Sequence, residues 1–157
     1  MLKILLRLQS SHIKKLVGGF FLCNCIVLAS TDVSGTISSN ETWTSTGNPY
    51  IVTASVTVNS GVTLTINPDV IIKFNNQTGI QVKGHLEVNG TEGHEVYFTA
   101  YTDDSVGGDT NDDNTTTTPN AGYWGGIDVI DNASADIRHT VIRYGGNWWP
   151  FLFYTTL

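Results

Sequence analysis

From Val33 onward the chain alternates apolar and polar positions with a period of two and offers no convincing helical period. Tyr50-Ile51-Val52, Val56-Thr57-Val58, Val62 to Ile66, Val70 to Phe74, Ile80-Gln81-Val82, Leu86-Glu87-Val88 and Glu95 to Phe98 are short β-branched or aromatic runs, the composition that favours strands. Each is closed by turn formers: Asn59-Ser60-Gly61, Asn67-Pro68-Asp69, Asn75 to Gly79, Lys83-Gly84 and Asn89 to Gly93. The pattern also repeats. Leu64-Thr65-Ile66-Asn67 returns 22 residues later as Leu86-Glu87-Val88-Asn89, and Val70 to Phe74 is echoed by Glu95 to Phe98, with Phe74 and Phe98 24 residues apart. A period of this length, with Asn and Gly at the joints, marks a solenoid. An antiparallel sandwich also has short strands and frequent turns, but it gives no reason for one segment to reappear a period later. The expectation is an all-β parallel β-helix in which residues 64–74 lie under residues 86–98, running in the same direction.

The amino terminus has a different pattern. Lys3, Arg7, Lys14 and Lys15 precede an apolar run from Leu16 to Leu28, and Val27-Leu28-Ala29 supplies the small-residue pattern of a cleavage site, so residues 1–29 read as a secretory signal peptide. The alternative, an uncleaved anchor, is disfavoured because the run is shorter than the roughly 20 residues needed to span a bilayer. Removing 1–29 takes both cysteines, Cys23 and Cys25, and leaves fourteen acidic residues against Lys73, Lys83, Arg138 and Arg143, a net charge of −10. Such a chain repels nucleic acid and anionic membrane surfaces. An exported domain without a disulfide must be held by packing, hydrogen bonds or a metal.

A polar stretch, 103–120, interrupts the strands. It has almost no apolar content, and a loop of this length in a compact domain is usually functional or disordered. Within it Asp109, Asn111 and Asp113 alternate in the D-x-N-x-D arrangement that wraps oxygen atoms around calcium, with Asp103, Asp104 and Asp112 adding negative charge. The match to an EF-hand is incomplete: Asn114 stands where a turn glycine belongs and Asn120 where a bidentate Glu belongs. Asp109, Asn111 and Asp113 are therefore candidate calcium ligands, with a solvated acidic loop as the alternative.

After the loop come Gly122-Tyr123-Trp124-Gly125-Gly126-Ile127 and then Val141-Ile142-Arg143-Tyr144-Gly145-Gly146. The Asp-Asp-Ser-Val-Gly-Gly-Asp-Thr-Asn loop, the Trp-Gly-Gly-Ile strand and the Val-Ile-Arg-Tyr-Gly-Gly strand together resemble the amino-terminal part of large secreted bacterial proteins with right-handed parallel β-helix repeats, adhesin-like or cell-surface in type. The likeness covers roughly residues 33–146. It implies a cap at 30–49, about three turns over 50–146, and a place at the cell surface. It also implies partners among extracellular glycans or cell-surface components. It says little about activity, because one scaffold serves lyases, adhesins and spacers alike. Trp124 is expected to plug the core rather than to platform a sugar, Ile137, Val141 and Ile142 to face inward, and Arg138 and Arg143 to meet loop carboxylates.

Residues 147–157 depart from that likeness: Trp148, Trp149, Phe151 and Phe153 crowd a segment without alternation, which reads as a truncation or frameshift, or else as a capping segment. No nucleophile elbow, zinc-protease motif or phosphate-binding glycine loop is present, and His85, His94 and His139 lack metal-ligand spacing. The expectation is a noncatalytic structural or adhesive module, calcium-stabilised and glycan-contacting. The alternative is the amino-terminal remnant of a polysaccharide-lyase-like enzyme without its catalytic turns.

Overall fold

A computed structural model of the chain describes residues 5–7 and 30–146. The expected signal segment 1–29, apart from residues 5–7, and the apolar tail 147–157 lie outside the described residues. The described residues are all-β, 48% strand and 3% helical, the one helical element among them being a single 3-10 turn at Ser45–Gly47. Its strands are β1 (Leu5–Arg7), β2 (Ser30–Ile37), β3 (Glu41–Trp43), β4 (Tyr50–Val58), β5 (Thr63–Ile66), β6 (Ile71–Phe74), β7 (Ile80–Val82), β8 (His85–Asn89), β9 (Val96–Ala100), β10 (Ile127–Val129), β11 (Ser134–Arg138) and β12 (Thr140–Ile142).

Apart from β1, which pairs antiparallel with β2, every strand pairing among the described residues is parallel. The pairings form three ladders that the chain visits in turn. One runs β2–β4–β6–β9–β12, a second joins the far halves of β2 and β4 to β7 and β10, and the third runs β3–β5–β8–β11. β4 serves two ladders because it bends. Tyr50–Val52 pair with Ile72–Phe74, Val56–Val58 pair with Ile80–Val82, and Thr53, Ala54 and Ser55 between them are exposed. β2 bends in the same place, with its register shifting across Gly35 (φ +84°), a backbone angle that glycine adopts without penalty.

The repeat seen in the sequence is a spatial register. Leu64 sits on Leu86 and Ile66 on Val88, as the 22-residue offset requires. In the first ladder the offset is 26 rather than 24, since Ile72 pairs with Phe98 and Phe74 with Ala100. The turn after β8 is two residues longer than the echo allowed. A two-residue slip preserves which side chains face inward, so the apolar pattern alone could not reveal it.

Inward positions build one core. Val56 and Ile80, Val58 and Val82, Leu64 and Leu86, and Ile66 and Val88 are fully buried pairs of neighbours across strands. Each such side chain contributes roughly 1.5–3 kcal/mol by leaving water. Trp43 stacks on Tyr50 (centroids 4.8 Å apart, planes at 9°) near one end, and Trp124 on Phe74 (4.0 Å, 6°) near the other. Trp124 is wholly buried and its Nε1 donates to the Arg143 carbonyl at 2.8 Å, so it is the core plug the sequence suggested. The inward placement of Ile137 and Ile142 needs correction. They occupy register positions over buried Val88 and Phe98, yet are 41% and 50% exposed, and Val141 is only half-buried. They belong to the last pass, and no strand among the described residues lies on their far side.

Candidate functional site

The acidic loop leaves the end of β9 and returns to β10, where the preceding pass makes the same connection with only the Asn75 to Gly79 turn. Instead of projecting into solvent, it folds back over the outer face of the first ladder. Lys73 explains why. Its strand neighbours Ile72 and Phe74 face the core, so alternation turns Lys73 outward, but the loop covers it completely. Its Nζ donates to the Gly108 carbonyl at 2.6 Å and to Thr110 Oγ1 at 3.1 Å. Thr110 Oγ1 in turn donates to the Tyr101 carbonyl, and the Tyr101 hydroxyl donates to the Thr110 carbonyl at 2.7 Å. Gly107 (φ +68°) lies so close to the strand that a Cβ there would press on Ile71 and Lys73 at 3.3 Å. Burial lowers the Lys73 pKa to about 8, against the opposing pull of Asp104, Asp103 and Asp109 and with some help from Arg143.

The near end of the loop is tied down by Asp103. Its carboxylate is 2% exposed and accepts from Thr99 Oγ1, from the Ser105 amide and from Ser105 Oγ, while Arg143 Nη2 sits 2.5 Å from Oδ2. Burial raises the Asp103 pKa, but the hydrogen bonds from Ser105 and Thr99 and the Arg143 charge outweigh it, so the net shift is downward. Arg143 also donates to Ser105 Oγ at 2.7 Å and lies over the rings of Tyr97 and Tyr144. The expected contact between Arg143 and loop acids is thus made. Burial of Asp103 and Lys73 is not evident from the sequence. The available signal was a cation at an outward position of an apolar strand, followed by an acid-rich loop long enough to reach it.

At the far end, Asp109 accepts from the amides of Asp113 (3.3 Å) and Asn114 (2.9 Å), and Asp113 accepts from the amides of Thr116 and Thr117, the Thr117 hydroxyl and Asn111 Nδ2. The Thr117 hydroxyl foremost, with the neighbouring amides, holds the Asp113 carboxyl below the usual range despite some desolvation. These contacts curl the segment through positive φ at Asp112, Asn114 and Thr115. The result brings carboxylate oxygens of Asp104, Asp109 and Asp113 within 4.8 Å of one another. Of the three candidate ligands from the sequence, Asp109 and Asp113 meet here. Asn111 is adjacent, with its amide nitrogen on Asp113 and its Oδ1 buried and unpartnered. Asp104, which spacing did not select, completes the cluster and also carries a buried, unpartnered Oδ1. Desolvation, followed by the charges of Asp109 and Asp113 and opposed by Lys73, raises the Asp104 pKa.

The donor set suits a hard cation. Oxygens of three carboxylates gathered within 4.8 Å of one another are the hard, anionic donors that a cation such as calcium takes. The two orphaned oxygens, Asp104 Oδ1 and Asn111 Oδ1, lack any protein donor, which is the condition a cation would relieve.

A second group of polar side chains lies on the outer face of the third ladder. His85 Nδ1 is 2.8 Å from Ser134 Oγ, and its Nε2 is 3.6 Å from Asp136. The carboxylate is beyond hydrogen-bond reach and 65% exposed, so the imidazole is neither oriented nor shielded as a serine nucleophile would require. His94 contacts Asp69 at 3.0 Å on an exposed corner. No family model, curated protein or solved structure matches this chain.

Proposed function

We propose that this chain is the amino-terminal cap and first turns of a right-handed parallel β-helix from an exported surface protein, serving as a noncatalytic structural or adhesive module. Three parallel ladders visited in cyclic order support the coil, and parallel crossover connections are right-handed in nearly all known cases. The observation that carries the reading is the clamped loop. Two of the four cations after residue 29, Lys73 and Arg143, are committed to holding it, which supports a structural rather than an acid–base role for them. The tip of the loop, with Asp104, Asp109, Asp113 and the Asn111 carboxamide oxygen, holds calcium and completes its coordination with water. The module's outer faces, polar and acidic, meet extracellular glycans or neighbouring surface material, and a loop-bound cation would offset negative charge at that contact.

Calcium dependence tests this reading. Extracellular calcium modules bind with Kd on the order of 10⁻⁴ to 10⁻³ M, so 10 mM calcium should stabilise the fold by about 1–3 kcal/mol and raise Tm by several degrees. Asp104→Asn and Asp109→Ala should abolish the shift, and equimolar magnesium should give a smaller one. A melting curve that ignores calcium in the parent chain removes the metal from the proposal.

A further inference from the structure

The corner that joins the second ladder to the third is uneven from pass to pass. Between β4 and β5 it takes four residues, 59–62, and between β10 and β11 it again takes four, 130–133, but between β7 and β8 it is only Lys83 and Gly84. The registers carry the same gap: Val58 lies 24 residues before its partner Val82, whereas Thr63 lies 22 before His85. A short corner between two long ones leaves a notch of about 290 Å³, walled by the turns on either side and lined by Ser60, Thr63, Lys83, His85 and Asn132. Its floor is the backbone of Gly84, where a Cβ would collide with the carbonyl oxygens of Val62 and Asn59.

The chemistry of the notch runs against that of the molecule. After residue 29 the chain carries a net charge of −10, yet no carboxylate among the described residues lines the notch; Asp131 and Asp136 stand beside it, next to Asn132 and His85. Lys73 and Arg143 are spent on the acidic loop, but Lys83 is exposed and its Nζ has no hydrogen-bond or ion-pair partner among the described residues. Ser60 and Asn132 are exposed too, with a hydroxyl and a carboxamide able to donate, and His85 is steadied by Ser134 Oγ at 2.8 Å. We propose that this notch binds the anionic group, a carboxylate or a sulfate, of an acidic sugar, with Lys83 meeting the charge and Ser60, Thr63 and Asn132 the ring hydroxyls. Its volume falls at the small end of the range for small-molecule sites, roughly 300–1,000 Å³, which suits a single sugar unit. The inference rests on the glycan-contacting reading above and adds to it a place and a charge.

The test is a titration of the isotope-labelled full chain, followed by amide chemical shifts, with glucuronate, glucose sulfate, glucose and inorganic sulfate at fixed ionic strength. At least one of the two acidic sugars should give saturable shifts centred on Gly61, Gly84 and Asn132, and the tighter of the two names the anion. Lys83→Gln should weaken that binding about tenfold, the loss of one charge-assisted hydrogen bond, while Lys83→Arg keeps most of it. Lys83 is exposed, and unchanged melting of both variants checks that the fold is intact. Glucose binding as tightly as the acidic sugars overturns the proposal, as do inorganic sulfate matching them, shifts centred elsewhere, or a Lys83→Gln variant that binds like the parent. Retention of the chain on immobilised neutral and acidic polysaccharides separates the two readings. Retention on either with silent notch amides sinks the notch alone, and silence in both measurements removes glycan contact as well.

Discussion

Lys73 is a cation in a place where a cation is costly, and the loop over it accounts for both the cost and its partial compensation. Burial lowers its pKa to about 8, while Asp104, Asp103 and Asp109 resist that fall. The unfolded value is about 10.4, so between these limits the unfolded chain holds more protons than the folded one. Stability from this residue therefore rises with pH across the window and is flat below it. The expected gain is about 1.5 kcal/mol between pH 8 and pH 9.5, measured as the change in unfolding free energy in urea. Lys73→Met should remove the slope, whatever it does to stability at pH 7. A parent profile that is flat or falls over the same range would show that Nζ is solvated and the loop is not seated on β6. Arg143 plays a different part, since its planar head serves Asp103, Ser105 and Thr99 at once, which a lysine could not match.

The corners between strands are as constrained as the strands. Gly84, between β7 and β8, lies against the previous pass so closely that a Cβ would collide with the carbonyl oxygens of Val62 and Asn59. Gly90, after β8, meets the carbonyls of His139 and Arg138 from the following pass in the same way. The obstructing atoms are backbone, so no rotamer change relieves the clash. Gly84→Ala should destabilise the fold by about 2–4 kcal/mol, whereas Gly61→Ala, where the added carbon meets nothing, should cost only the strain of its positive φ, about 1 kcal/mol. Chemical denaturation of the two variants checks the difference, and similar losses at both sites would mean the passes are not in contact at Gly84. This contrast marks where the sequence is readable. Leu64, Ile66, Leu86 and Val88 declare their stacking because burial demands an apolar residue at each pass. The longer turn after β8 leaves no such trace, since it shifts pairing by an even number. Asp109 and Asp113 were visible through a local spacing, but Asp104 joins them only because Lys73 and Asp103 fold the loop back on itself, and those contacts span more than thirty residues of sequence.

In the whole molecule, each pass contacts chiefly its neighbours, so stability is close to a sum of intrinsic and nearest-neighbour terms. β5 and β8 are flanked on both sides in the third ladder, while β11 has a partner on one side among the described residues. Its burial pattern agrees: Ser134, Asp136, Ile137 and Arg138 are exposed, whereas Leu64, Ile66, Leu86 and Val88 are not. Opening the last pass therefore sacrifices one interface and one set of half-buried side chains, and opening the middle requires breaking two. Amide exchange should follow that order. The amides of β5 and β8 should open with a free energy close to that of global unfolding, and those of β11 at least about 1–2 kcal/mol more easily. Arg138 and Asp136 face solvent on β11 and do little to hold it, so raising salt should not close the gap. Uniform protection across the third ladder would mean that unfolding is all-or-none and that the passes are not separable units.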